Sequence, residues 1–367
     1  MDRSNSMIRV EKNNVRQYNI TVIPKKNKLF FIFIQIFFGL DFGYIVYKSK
    51  KNKFLVKLTT FLVSVCYGIV IISMLFEIGD NFYLTWGFKF FFEYYLYIFI
   101  LIFTSDDRTF YFYQIQLQQF DNKVGVPTSS FKLANKMMFY IFFLFSFNVL
   151  VIFLYYGYSD DYELQMYLQL LFFIPLLTYD IPIMILFFVY LSMFYRLERL
   201  KILIENRKFS VHSLLQHYRF LVDSIEKVMK SFTYIYLLSL LFNIPGVMAS
   251  IYYLLETIQK TGDKSFALIV PYIPLLLIIT NRAAPAVAAT WLGQEPMEMK
   301  LILYKRIFEE KDKRQILTME RFLRYIDARP FKFYMLHLVP MDVTLLAIIL
   351  ESCVTYIIIM VQMTHIV

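Results

Sequence analysis

Apolar runs of about 20 residues recur along this 367-residue chain, long enough at about 1.5 Å per helical residue to cross a hydrocarbon layer ~30 Å thick. Lipid offers no partner to an open backbone, so each run must close its own hydrogen bonds as a helix. Composition agrees: 58% of the residues are hydrophobic and 19% aromatic, a surplus that a soluble monomer of this size cannot bury. Apolarity and length together predict seven spans, at 54–78, 82–104, 137–157, 166–195, 232–257, 266–292 and 339–364. An eighth run, 29–47, holds Gln35, Gly39, Asp41 and Gly43 and is separated from the first span only by the polar "KSKKNK". It reads as an interfacial or re-entrant helix.

A formal charge of +10 raises nucleic acid as a partner, but the basic residues cluster between the apolar runs and form no separate soluble patch. Twelve lie between Arg3 and Lys57, four between Arg108 and Lys136, eight between Arg196 and Lys230, and ten between Lys300 and Lys332. The alternate loops carry only Lys260 and Lys264. This alternation predicts a cytosolic N-terminus and an extracellular C-terminus. A crossing by 29–47 would put the N-terminal arm and the basic loops on opposite sides. Cys66 and Cys353 fall within spans, which argues against a disulfide or a metal site and for reduced packing residues. The polar first 28 residues do not read as a cleaved signal peptide, and Asn19-Ile20-Thr21, on the cytosolic side, is not expected to be glycosylated.

Two cytosolic connections have helical periodicity: Leu214, Tyr218, Leu221, Ile225 and Val228 in 210–230, and Tyr304, Ile307, Phe308, Phe322, Leu323 and Ile326 in 301–326. Their apolar stripes fit burial within the subunit and assembly of subunits equally. In the last span Thr344, Ile348, Glu351, Thr355, Ile358 and Gln362 share one helical face. A polar stripe in a membrane helix must face the bundle interior or water. It is either interhelical contact, with Glu351 paired to a cation such as Arg282, or the lining of a pore built from symmetric copies.

The end of that span carries the most specific signal. "TYIIIMVQM" is similar to the Thr-Tyr, apolar run, Gln-Phe signature that ends the insect gustatory receptors, "LVPMDVTLLAII" resembles the segment opening the same helix, with Asp342 at the matching position, and "IFFGLDFGYIVYKSKKNKF" looks like the segment preceding the first span. Met363 stands where the signature has Phe, and Ile357 where the sugar-receptor branch has Glu, which points to a bitter or other divergent branch. The resemblance implies an all-α membrane protein with seven transmembrane helices, acting as a ligand-gated, non-selective cation channel in the plasma membrane of sensory neurons. Four subunits, of one or several kinds, would surround a central pore. It divides the chain into an N-terminal arm with interfacial helix (1–53), a ligand-binding bundle with helical cytosolic loops (54–338) and a pore helix (339–367). It places Gln362 and Met363 at the outer constriction and Thr355 and Tyr356 below them. Glu351, outside the motif, would favour cations electrostatically.

A small-molecule tastant would bind in the outer half of each bundle. Candidate lining residues are Trp86, Lys89 and Glu93, which share a face of the second span; Tyr179 and Asp180, between Pro175 and Pro182 on the fourth; and Asn148, Tyr252 and Tyr272 on neighbouring spans. Structural readings compete: Lys89 snorkelling with Trp86 in an aromatic belt, and Asp180 hydrogen-bonded to another helix. No cofactor, metal or nucleic acid is implied. No embedded nucleophile, base or metal set suggests an enzyme, and His212 and His217, five apart, are poorly placed for one helical face. The alternative is a seven-helix G-protein-coupled chemoreceptor, which would have its N-terminus outside; a transporter would show an internal repeat.

Overall fold

The computed structural model describes residues 50–78, 109–125, 163–207, 209–261, 273–335 and 339–363, with short helical pieces between 92 and 98 and between 136 and 151. In order, the elements are α1 (Lys50–Ile78), α2 (Thr109–Val124), α3 (Glu163–Glu205), α4 (Val211–Thr261), α5 (Ile273–Glu309), α6 (Lys313–Ala328), β1 (Tyr334–Met335), β2 (Val339–Pro340) and α7 (Val343–Met363). The expected interfacial run 29–47 and most of the spans at 82–104 and 137–157 lie outside the described residues.

Among the described residues, three stretches are long and apolar enough to cross a membrane: Asp180–Glu205, Phe232–Glu256 and Val343–Met360. The first runs past the expected end at 195 into Arg196, Glu198, Arg199 and Lys201. Such a charge density does not suit hydrocarbon, so the apolar crossing ends near 195.

α3, α4 and α5 have 43, 51 and 37 residues, far more than the ~20 that a crossing needs. Each therefore carries an extension, and the extensions pack with α2 and α6 into a second helical layer at one end of the bundle. Much of the core lies there: Leu200, Ile204, Leu214, Tyr218, Leu221, Ile225, Leu303 and Phe322 are almost fully buried. The stripe expected in 210–230 is buried along its whole length, from Leu214 to Val228. Tyr218 packs edge-on against Phe322 and Phe331 at centroid distances of 5.5 and 5.4 Å.

The stripe expected across 301–326 divides. The chain leaves the helix at 310–312, where Asp312 caps α6 by accepting the Arg314 N–H at 2.9 Å. Beyond that break Met319, Phe322, Leu323 and Ile326 turn inward, whereas Tyr304 and Phe308 on α5 remain 45% and 88% exposed. The turn from α3 to α4 closes with Arg207 in the left-handed region at φ 53°, its guanidinium ion-paired with Glu309 on α5.

Three features depart from the sequence pattern. α2 was not expected as an element, yet Tyr113, Leu117, Phe120 and Val124 recur at helical spacing and are all buried. The last helix begins at Val343, not at 339, because Val339 and Pro340 pair antiparallel with Met335 and Tyr334 in a hairpin. α3 runs unbroken through Pro175 and Pro182. Burial of Asp180, Ile181 and Ile183 on neighbouring helices holds the backbone that the prolines would loosen.

Candidate functional site

α7 packs on α4 and α5 through one narrow side. Leu345 is buried, and Leu346, Ile349, Cys353, Ile357 and Met360 follow it half-buried at steps of one, three or four. Positions 344, 348, 351, 355, 358 and 362 lie on the far side of the helix, and Thr344, Ile348, Glu351, Thr355, Ile358 and Gln362 are all exposed. Only 6% of the apolar span of α7 is buried in the subunit, against 61% for that of α3. Tyr356 is 39% exposed, and the side chain of Met363 lies outside the described residues.

The base of α7 is fixed by hydrogen bonds. Asp342 is its N-cap, its carboxylate accepting the Thr344 N–H at 2.8 Å. The Val343 N–H, which has no partner within its own helix, donates to Thr290 Oγ1 on α5 at 3.0 Å. Just before it, the Met341 N–H donates to the Phe333 carbonyl at 2.9 Å, extending the hairpin. The hairpin and α5 thus set where the helix starts.

Glu351 does not pair with Arg282, which is ion-paired with Asp180 across the α3–α5 interface. Both members are buried, with side chains 7% and 8% exposed. A charge in an apolar bundle stays ionised only beside its complement, so Asp180 and Arg282 account for each other. Tyr236 on α4 donates its hydroxyl to the Arg282 carbonyl at 2.6 Å, bringing a third helix to the same point. Of the other expected lining residues, Tyr252 is half-buried on α4, and Tyr179 lies on α3 with its side chain outside the described residues. Trp86, Lys89, Glu93, Asn148 and Tyr272 lie outside them altogether.

Sequence reasoning missed the polar joints of the helical extensions. Arg196 on α3 grips Asp121 on α2 with two hydrogen bonds, Nε to Oδ1 at 2.8 Å and Nη2 to Oδ2 at 2.6 Å, both side chains buried. Lys201 on α3 ion-pairs with Glu295 at 2.9 Å and Glu298 at 2.6 Å on α5. Burial pushes the Glu295 carboxyl up, against the opposing pull of Lys201. At the end of α6, Arg329 donates to Asp223 at 2.6 Å and also bonds Glu226, both on α4. Its carbonyl accepts from Tyr218, and the Arg219 guanidinium stacks 4.6 Å above the Tyr325 ring. No sequence spacing links these partners, which stand 75 to 111 positions apart. Asp180 and Arg282, by contrast, were findable as opposite charges within two spans. His212 bonds Gln216 and His217 bonds Ser213, each within its own helix, and no group of metal-binding side chains occurs among the described residues.

Residues 94–364 match the family model described as 7tm Chemosensory receptor. The fold is similar to that of the insect olfactory receptor OR5 from Machilis hrabei in complex with eugenol, with a TM-score of 0.62 and 12% sequence identity over 92% of this chain and 98% of that one. It is also similar to the structure of OR5 itself, with a TM-score of 0.55 and 11% identity over the same shares of the two chains. Among curated proteins, none matches the sequence.

Proposed function

The chain belongs to the 7tm chemosensory receptor family, and on that premise we propose that it is a ligand-gated, non-selective cation channel that detects a tastant. The observation that carries this reading is the exposed polar face of α7, turned away from the side by which the helix packs among the described residues. Glu351, Thr355 and Gln362 on a lipid-facing surface would be costly; around a central axis shared by four copies they would line an aqueous path. Gln362 and Met363 form the outer constriction, Ile358 an apolar ring below it, and Glu351 a ring of negative charge that favours cations. Asp342, as the cap of α7, supports the pore from its base.

In this reading the N-terminus is cytosolic, the extensions of α3 to α5 with α2 and α6 project into the cytosol, and the tastant binds in the outer half of the bundle. The arm 1–53, the bundle 54–338 and the pore segment 339–367 divide the labour. The Thr-Tyr and Gln-Met ending supports a gustatory receptor, and Ile357 one outside the sugar-sensing branch. OR5 was solved in complex with eugenol, which supports a small organic ligand here.

The test is whole-cell current from cells expressing this chain, challenged with a chemically broad tastant panel. Gln362→Ala should change rectification or permeability, and Glu351→Gln should lower cation preference, while the agonist dose-response stays within about threefold. A ligand-evoked current that neither substitution alters would move the pore away from α7. A second-messenger response without current would overturn the channel itself.

A further inference from the structure

Of the basic segments that the proposed orientation places in the cytosol, the one that opens α1 differs from the rest. Lys48, Lys50, Lys51, Lys53 and Lys57 fall within ten positions, and no carboxylate lies between Asp41 and Glu77. The segments 196–230 and 300–332 mix their charges, and the fold takes up their cations: Arg196 pairs with Asp121, Lys201 with Glu295 and Glu298, Arg207 with Glu309, Lys300 with Asp327, and Arg329 with Asp223 and Glu226. The lysines that open α1 have no such counter-charge near them in the chain. The helix is already formed at Lys50, and its first turn holds no acidic residue. Positions 50, 53 and 57 share one face of it, with position 51 on the flank. Like charges gathered there repel one another and oppose the helix dipole. A negatively charged partner removes both costs.

The next two turns of α1 say what that partner is. Phe54, Leu55, Leu58, Phe61 and Leu62 are 41% to 68% exposed, a broad apolar surface that belongs in hydrocarbon. The edge of the bilayer core therefore falls near Phe54, and positions 50 to 53 stand at headgroup depth, about 1.5 to 6 Å below it along the helix axis. An acidic soluble protein would have to reach into the headgroup layer to meet them, whereas anionic lipid is already there.

We propose that the start of α1 is a docking surface for anionic phospholipid of the inner leaflet, and that it takes a polyphosphorylated headgroup, of the phosphoinositide kind, ahead of a singly charged one. Lys50, Lys51 and Lys53 lie within one helical turn, so a single headgroup bearing several phosphates meets all three charges. Singly charged lipids would have to be gathered one by one. α1 packs on α3, so a lipid held at its foot braces the bundle and stabilises the folded receptor. The choice of leaflet rests on the cytosolic N-terminus of the proposed function; the binding itself depends on no channel activity.

The test follows thermal unfolding of the purified full-length receptor in neutral detergent, titrated with the dioctanoyl forms of phosphatidylinositol bisphosphate, phosphatidylserine and phosphatidylcholine, and with soluble inositol trisphosphate. The bisphosphate should stabilise the wild type at a concentration at least about tenfold lower than phosphatidylserine, and phosphatidylcholine should have no effect. Lys50→Gln, Lys51→Gln and Lys53→Gln combined should raise the concentration required about tenfold or more and leave unfolding without lipid within about two degrees of the wild type, because glutamine keeps the helix and relieves the repulsion. The same three positions changed to Arg should keep the response, and so should Arg321→Gln with Arg324→Gln, which removes exposed charge from α6. No response to the bisphosphate, an equal response to phosphatidylserine, a response that survives the three glutamines, or one lost in the α6 variant overturns the proposal. Early unfolding of the glutamine variant without lipid overturns it too, because the lysines would then be serving the fold. Inositol trisphosphate acting at the same concentration as the lipid would assign the lysines to a soluble polyphosphate and overturn the membrane docking. An N-terminal tag stained on intact cells would overturn the inner leaflet together with the proposed orientation, whereas loss of the lipid response with the tag inside would sink this surface alone.

Discussion

His217 shows how a single side chain on the helical extensions sets a condition on the fold. Its ring meets Phe120 of α2 edge-on at 5.6 Å, and Lys123 stands nearby in the last turn of that helix. Burial first, and Lys123 second, hold the imidazole below its ordinary pKa of 6.5. Its contribution to stability is present above pH 6.5 and is lost as the pH falls through the lower folded value, because the unfolded chain takes up the proton first. Unfolding temperature measured between pH 7.5 and pH 5, about the range over which His titrates, should therefore fall more steeply for the wild type than for His217→Gln. Parallel curves would assign the acid sensitivity to other groups. At this scale the sequence was half legible. Asp180 stood out as a charge among apolar neighbours, but its partner could not be chosen from sequence, since both Glu351 and Asp180 were available to Arg282 and only packing of α3 on α5 decides between them.

Between elements, the joint that bears most directly on α7 is Arg329. It ends α6, bonds Asp223 and Glu226 on α4, and opens the short path through the hairpin to the cap at Asp342. These pairs are half-exposed, with side chains 35%, 53% and 52% accessible, so each is worth about 1 kcal/mol or less. Their value lies in position: loosening them frees the hairpin against α4 without emptying the core. Arg329→Gln should lower the unfolding temperature by only a few degrees, roughly what 1 kcal/mol costs a chain of this size, and Asp223→Asn should cost little more once Arg329 is gone. Additive losses would show that the two residues act separately. The elements themselves were legible wherever periodicity was strong, as in 210–230, where every expected apolar position is buried. The hairpin was not, because two-residue strands have too little pattern to read. α2 was missed for another reason: the glutamines between them, Gln114, Gln116, Gln118 and Gln119, dilute the apolar stripe of Tyr113, Leu117, Phe120 and Val124 in the sequence.

For the whole molecule the decisive quantity is the apolar surface that the subunit leaves uncovered. On the extension of α5, Met297, Leu301, Tyr304 and Phe308 follow one another at helical spacing and are 58%, 70%, 45% and 88% exposed. This stretch lies beyond the apolar span, so lipid does not explain it, and a contiguous apolar stripe facing water marks a binding surface. The same subunit leaves α7 almost unburied. In the proposed assembly a second copy of the chain would satisfy both exposures at once, since subunits joined through the α5 stripe around an axis beside α7 would enclose the polar face of that helix and cover the stripe. Leu301→Glu with Phe308→Glu should therefore convert the purified assembly to smaller species, read as mass by light scattering in detergent, while the helical content by circular dichroism stays that of the wild type. In the proposed channel α7 lines the pore together with its neighbours, so ligand-evoked current should be lost together with the mass. An unchanged mass would mean that the stripe meets a different partner and that the subunits are held together elsewhere.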